Sequence, residues 1–178
     1  MHIIIDGYNL IRQSANLRRY ERISLEEGRN ALIHVVSLYK KKKGHKMTIV
    51  FDGWEQGAAE EGRDYKEGLD IIYSRKGEKA DDVIKRMAEK GDEQIVVVTS
   101  DRDLAGFVSR RGGVPISSQE FEDRIKRISA GSQAPFEGKE NHDKDEDDDQ
   151  RDQGVKRKGS PHRLSRKKKL ILARMRKL

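Results

Sequence analysis

Cysteine is absent from this sequence. That excludes disulfide scaffolding and zinc–thiolate sites, and leaves oxygen and imidazole groups as the metal ligands available. No apolar run approaches the length of a membrane span. No basic segment precedes an apolar one at the N-terminus, and Ile3–Ile5 is too short for a signal peptide, so a cytoplasmic protein is the default expectation. Phosphate-cradling glycine loops, a Ser/His/Asp constellation and internal repeats are also missing. His2, His34 and His45 have no spacing that suggests a metal triad, and structural or surface roles are expected of them.

Acidic residues are missing from one long stretch. Residues 155–178 hold 11 Lys and Arg and no Asp or Glu. Residues 131–154 hold 3 basic and 9 acidic side chains, and residues 1–130 hold 24 and 22. The net charge of +7 therefore sits in the tail, while the first 130 residues are close to neutral. Residues 131–154 are almost devoid of apolar side chains and are expected to be disordered. Residues 155–178 are expected to bind a polyanion, and Leu164, Ile171, Met175 and Leu178 would share one side of a helix over Leu164–Leu178.

What is present organises around Ile3-Ile4-Ile5-Asp6-Gly7-Tyr8-Asn9. Three β-branched residues read as a strand buried on both faces, stopped by an acid, with Gly7 allowing a tight turn. Two more apolar strands end the same way: Met47–Phe51 runs into Asp52-Gly53, and Gln94–Val98 into Thr99-Ser100-Asp101. Asp81 opens a helix over Ala80–Lys90. Between these lie a polar loop at Arg12–Arg22, a helix capped by Ser24 and Glu27 and stopped at Gly44, and an exposed loop over Gly53–Gly68. A strand at Leu69–Tyr73 follows, and then a polar loop over Ser74–Lys79. A helix at Ser100–Arg111, an edge strand Val114–Ile116 and a last helix opened by Ser117 and Glu120 complete the pattern, with Phe121, Ile125 and Ile128 on one face. Strands alternating with helices predict a three-layer α/β/α domain with a mostly parallel central sheet over residues 1–130.

Parallel strands deliver their terminal acids to one edge of the sheet, where α/β folds bind ligands. Clustered carboxylates repel one another, and a hard divalent cation, Mg²⁺ or Mn²⁺, offsets that repulsion. Asp6, Asp81 and Asp101 are the candidate catalytic and metal-holding residues. Asn9, Asp52 and Ser100 stand as supporting members. Each has a plainer reading: Asp6 and Asp52 precede glycine and suit turns, Asn9 suits a cap, and Ser100 or Asp101 suits a helix N-cap. Helical geometry separates Asp81, which shares a stripe with Ile84 and Ala88, from Asp82, which shares one with Lys85, Arg86 and Glu89; Asp81 should lean over the sheet and Asp82 face water. Glu55, Glu60, Glu61 and Asp64 are expected to be solvated.

Asp6-Gly7-Tyr8-Asn9-Leu10-Ile11, Phe51-Asp52-Gly53, Lys79-Ala80-Asp81-Asp82 and Thr99-Ser100-Asp101, in that order, resemble the YacP-like branch of the NYN domains, within the PIN-like nuclease superfamily. The resemblance covers about residues 1–130. It implies a PIN-like α/β/α fold and a metal-dependent endoribonuclease, with messenger RNA at the ribosome as a substrate setting. Position by position it implies Asp6, Asp81 and Asp101 as the acidic site, with Asn9 and Asp52 beside them. An acidic cluster alone repels RNA, so basic side chains must flank it; Arg12, Arg18, Arg19, Lys40, Lys41, Lys42, Lys43, Arg110 and Arg111 are the candidates. No small-molecule cofactor and no membrane partner are expected. The rival reading is a non-catalytic RNA- or ribosome-binding protein of PIN-like shape. A phosphatase of the haloacid dehalogenase type ranks lower, because it needs a second aspartate two residues after the first, where Tyr8 stands.

Overall fold

The computed structural model describes residues 1–53, 60–90 and 94–129, with Lys169 and Ala173 besides. The acidic segment and nearly all of the basic tail, including the helix expected over Leu164–Leu178, lie outside the described residues.

Six strands form one sheet: β1 (His2–Asp6), β2 (Lys46–Phe51), β3 (Gly62–Lys66), β4 (Leu69–Tyr73), β5 (Ile95–Val98) and β6 (Val114–Ile116). Their order across the sheet is β3-β4-β2-β1-β5-β6. All neighbouring pairs are parallel except β3 with β4. The helices are α1 (Gly7–Gln13), α2 (Leu17–Glu21), α3 (Leu25–Lys43), α4 (Ala80–Lys90), α5 (Arg102–Arg110) and α6 (Ser118–Ser129).

The parallel strands read as largely apolar runs because both faces are covered. Ile3 and Ile5 point into one core, with Leu32, Val36, Met47, Ile49, Phe51 and Phe121. Ile4 points into the other, with Val50, Val83, Ile84, Val97 and Leu104. Thus α1, α3 and α6 cover one face, and α4 and α5 the other. All three isoleucines are fully buried, each worth roughly 1.5–3 kcal/mol of hydrophobic stabilisation.

Local signals act as expected at several ends. Ser24 Oγ accepts from the Glu27 amide at 3.0 Å. Gly44 closes α3 in the left-handed region at φ 67°. Ser117 Oγ accepts from the Glu120 amide at 3.2 Å and opens α6. Phe121 and Ile125 are buried on its inner face, and the Ile128 side chain lies outside the described residues.

Two expected loops fold otherwise. Arg12–Arg22 contains the end of α1 and all of α2, anchored by buried Leu10, Ile11 and Leu17. Three apolar anchors in short helices leave no long periodic pattern to read. Gly53–Gly68 contains β3, an antiparallel edge strand whose residues after Gly62 are all exposed. Its charged sequence protects an exposed edge and so conceals the strand. Gly7 also differs from expectation: it begins α1 rather than a free turn. A Cβ there would stand 2.3 Å from the Phe51 ring, so glycine is required by close approach.

Candidate active site

The chain goes from β1 to β2 and β4 on one side, then crosses to β5 and β6 on the other. The carboxyl end of β1 is therefore the switch point of the sheet, where such folds leave a crevice. Asp6 occupies it. Asp6, Asp52, Asp81 and Asp101 line one cavity of about 220 Å³, with Tyr8, Asn9, Arg12 and Gln13. Four acids separated by up to 95 positions in sequence share one small space.

Asp6 is 7 % exposed. It caps α1: its Oδ1 accepts from the Asn9 amide at 3.3 Å, and its Oδ2 from the Thr99 hydroxyl at 3.1 Å. Burial pushes its pKa up to about 6 from 3.8. The hydrogen bonds from Asn9 and Thr99 oppose this, and the charges of Asp81 and Asp52 add to it. Asp81 is raised as well, first by burial and then by Asp101, with Lys85 pulling the other way. It is half-buried while Asp82 is exposed, as the helical stripes require.

The remaining acids have local structural work too. Asp52 Oδ1 accepts from the Ala80 amide at 2.7 Å and so ties the end of β2 to the start of α4. Asp101 is the N-cap of α5, its Oδ1 accepting from Asp103 and Leu104 amides at 2.7 and 2.9 Å. Asn9 Oδ1 accepts from the Ser100 amide and the Ser118 hydroxyl, both at 2.9 Å. It joins α1 to the segments after β5 and β6. Ser100 is exposed, and its Oγ accepts from the Ser118 amide at 3.2 Å.

The donor set is all oxygen, which suits a hard cation such as Mg²⁺ or Mn²⁺. Burial raises Asp6 and Asp81 first, and the repulsion from neighbouring acids that adds to it is the electrostatic condition a divalent cation relieves. Yet among the described residues no three Asp, Glu, His or Cys side chains come close enough to clasp one ion directly. Asp6, Asp81 and Asp101, expected to meet one cation directly or through its waters, do share the cavity, and Mg²⁺ commonly retains part of its water shell.

The basic candidates divide by edge. Arg12 lines the cavity, its guanidinium 5.6 Å from the Tyr8 ring centre and 3.7 Å from Glu21. Arg18 and Arg19 are exposed on α2 and do not line it. Lys40–Lys43 end α3 just before β2 begins, and Arg110 ends α5 just before β6 begins. These lie at the amino edge of the sheet, opposite the acids. Lys40 there donates to the Gly68 carbonyl, and Arg111 pairs with Glu89 at 2.7 Å.

Sequence reasoning missed three cavity or support residues. Thr99 is buried and bridges the site, since its hydroxyl donates to Asp6 and accepts from the Asp101 amide at 3.1 Å. Its place at a strand end before Asp101 was the available signal. Tyr8 and Gln13 line the cavity because α1 begins immediately at Gly7 and turns them back over the sheet edge.

The family model for the YacP-like NYN domain matches residues 3–177. The chain belongs to the YacP-like NYN family. The match extends beyond the motif-bearing first 130 residues into the charged tail. YacP of Bacillus subtilis (strain 168) is 26% identical over 129 residues, spanning 71% of this chain and 75% of that protein. The crystal structure of Rae1 (YacP) from Bacillus subtilis matches with a TM-score of 0.61 at 26% identity, covering 73% of this chain and 76% of that one. A mutant of the same protein matches with a TM-score of 0.60 at 25% identity, covering 73% and 77%. The NYN fold is a PIN-like nuclease fold, so membership places this chain in a nuclease domain family.

Proposed function

We propose that this protein is a metal-dependent endoribonuclease that hydrolyses RNA phosphodiester bonds at the Asp6 cavity. The observation that carries this reading is the convergence of Asp6, Asp52, Asp81 and Asp101 on one cavity at the sheet's switch point. Mg²⁺ or Mn²⁺ held there would supply Lewis acidity to a water and offset charge on the phosphate. Asp81 and Asp101 are assigned to hold that ion from the α4 and α5 helix starts. Asp6, whose carboxyl titrates near 6, is assigned to take the proton of the attacking water. Thr99 keeps the Asp6 carboxylate oriented. Asn9 and Asp52 fix the loops that carry the other acids. The family resemblance extends the proposal to messenger RNA at the ribosome.

Asp6→Asn and Asp81→Asn each test it. Cleavage of RNA in Mn²⁺ should fall by at least about 100-fold, a scale typical of losing an acid–base or electrostatic group, while circular dichroism stays native. Folded variants that still cleave at the wild-type rate overturn the assignment. The second reading, RNA binding without cleavage, draws on the capping bonds that occupy the Asp52 and Asp101 carboxylates. Incubation of structured and unstructured RNA with Mn²⁺, with and without EDTA, separates the two: binding with no chelator-sensitive cleavage supports the second.

A further inference from the structure

One cation at the carboxylate edge has no part in the site so far. Arg29 lies in the second turn of α3, half-buried. Its guanidinium stacks 5.7 Å from the centre of the Tyr73 ring, at the end of β4. It also sits against the hydroxyl of Tyr8, which lines the acidic cavity. That contact favours the ionised phenol, but burial outweighs it and keeps the Tyr8 pKa above its ordinary value. Asp52 is the next charge the Tyr8 hydroxyl senses.

The three rings form a rigid platform. Phe51 stacks on Tyr73 with centres 5.8 Å apart and meets Tyr8 edge-on at 5.2 Å. Arg12 covers the Tyr8 ring. Two guanidiniums are thus set about one tyrosine, beside a cavity whose other charges are carboxylates. Stacking a guanidinium on a fixed ring fixes its plane while leaving its edge donors for a phosphate. Most of the basic side chains expected to contact RNA lie at the far edge of the sheet or on α2, so Arg12 has had no partner in screening the acids from a polyanion.

We propose that Arg29 is a substrate-binding residue: held by Tyr8 and Tyr73, its guanidinium grips an RNA backbone phosphate adjacent to the one attacked. The inference rests on the nuclease reading for the word adjacent, and on the geometry alone for the phosphate contact.

Binding and cleavage are read separately. RNA affinity is measured by fluorescence anisotropy in EDTA over a salt series, with a single-stranded oligonucleotide and the full chain. Arg29→Gln should reduce the slope of log K against log salt by about 0.7, the value for one phosphate on a single strand. Arg29→Lys keeps the charge and should retain the slope while weakening binding, because the planar fork is lost. In Mn²⁺, Arg29→Gln should raise KM about tenfold, the scale of one charge-assisted hydrogen bond, with kcat close to wild type. Tyr8→Phe, which keeps the ring and removes the hydroxyl, should raise KM in the same direction by less. An unchanged slope and KM in folded Arg29→Gln overturn the proposal; if that variant does not fold, wild-type affinity and KM in Arg29→Lys do so. Should the wild-type chain bind RNA and cleave none, a slope lowered by Arg29→Gln still supports the phosphate contact, and the nuclease reading alone fails.

Discussion

Asp6 is held in a position that suits chemistry and opposes stability. It gains an amide and a hydroxyl as donors, and it loses water and acquires acidic neighbours. A carboxyl whose folded pKa lies above its unfolded value binds its proton more tightly in the folded state. Its stabilising contribution is therefore complete below about pH 3.8 and lost as pH rises through about 6. The displacement corresponds to roughly 3 kcal/mol, an upper figure because charge relaxation shares it. Asp6→Asn keeps the capping oxygen and removes the charge. Chemical denaturation should find this variant more stable than wild type at pH 8 by about 1–3 kcal/mol, with the gap about halved at pH 5 and closing only below about pH 3.8. Excess Mn²⁺ at pH 8 should stabilise the wild type, by about 2.7 kcal/mol at 100 times Kd, and Asp6→Asn much less. EDTA should reverse it; equal response of both proteins would remove Asp6 from the cation's surroundings. Asp6 and the contrast of Asp81 with Asp82 were legible in sequence because strand ends and helical stripes have fixed geometry. Thr99, Tyr8 and Arg29 were not, because their roles depend on which elements lie side by side.

At the scale of elements, the acids are placed by loops that neighbouring loops hold. Asn9 joins α1 to the turns after β5 and β6 through two bonds to one oxygen. Asn9→Ala leaves the Ser100 amide and Ser118 hydroxyl without that acceptor, which should cost about 1–3 kcal/mol in denaturant midpoint and m-value analysis. Activity should fall further than stability if the loop carrying Asp101 shifts. The Asp52 loop is held by Ser74, whose Oγ accepts from the Gly53 amide at 2.8 Å and donates to the Glu78 carbonyl at 2.6 Å. A Cβ on Gly53 would stand 1.7 Å from the Ser74 carbonyl oxygen. Gly53→Ala must therefore displace Asp52 or the strand end; a thermal melt and cleavage rate both equal to wild type would contradict this close approach. The periodicity of α3, α4 and α5 and the apolar strands made the α/β/α order readable. Helix α1 was hidden because it is too short to show a period, and α2 and β3 because few of their residues are buried, and hydrophobic spacing records burial alone.

Across the whole molecule, charge is partitioned more sharply than the net value of +7 suggests. The carboxylates occupy one edge of the sheet, while Lys40–Lys43 and Arg110 occupy the other. A strand of RNA reaching the acids must therefore be held by cations nearer the cavity or by the tail, not by the lysine run at the end of α3. The tail carries 11 basic side chains in residues 155–178, and the family match includes nearly all of that segment. Engagement of five of these by single-stranded RNA would add about 3.5 to the slope of log K against log salt, at ~0.7 per phosphate. Deletion of residues 131–178 should accordingly flatten the salt dependence and weaken binding most steeply near physiological salt. Cleavage at low salt, where the nuclease cavity and its nearby arginines suffice, should survive. Unaltered affinity and slope in the truncated chain would show that the tail does not contact RNA, and would move the whole burden of holding the polyanion onto the side chains around Tyr8.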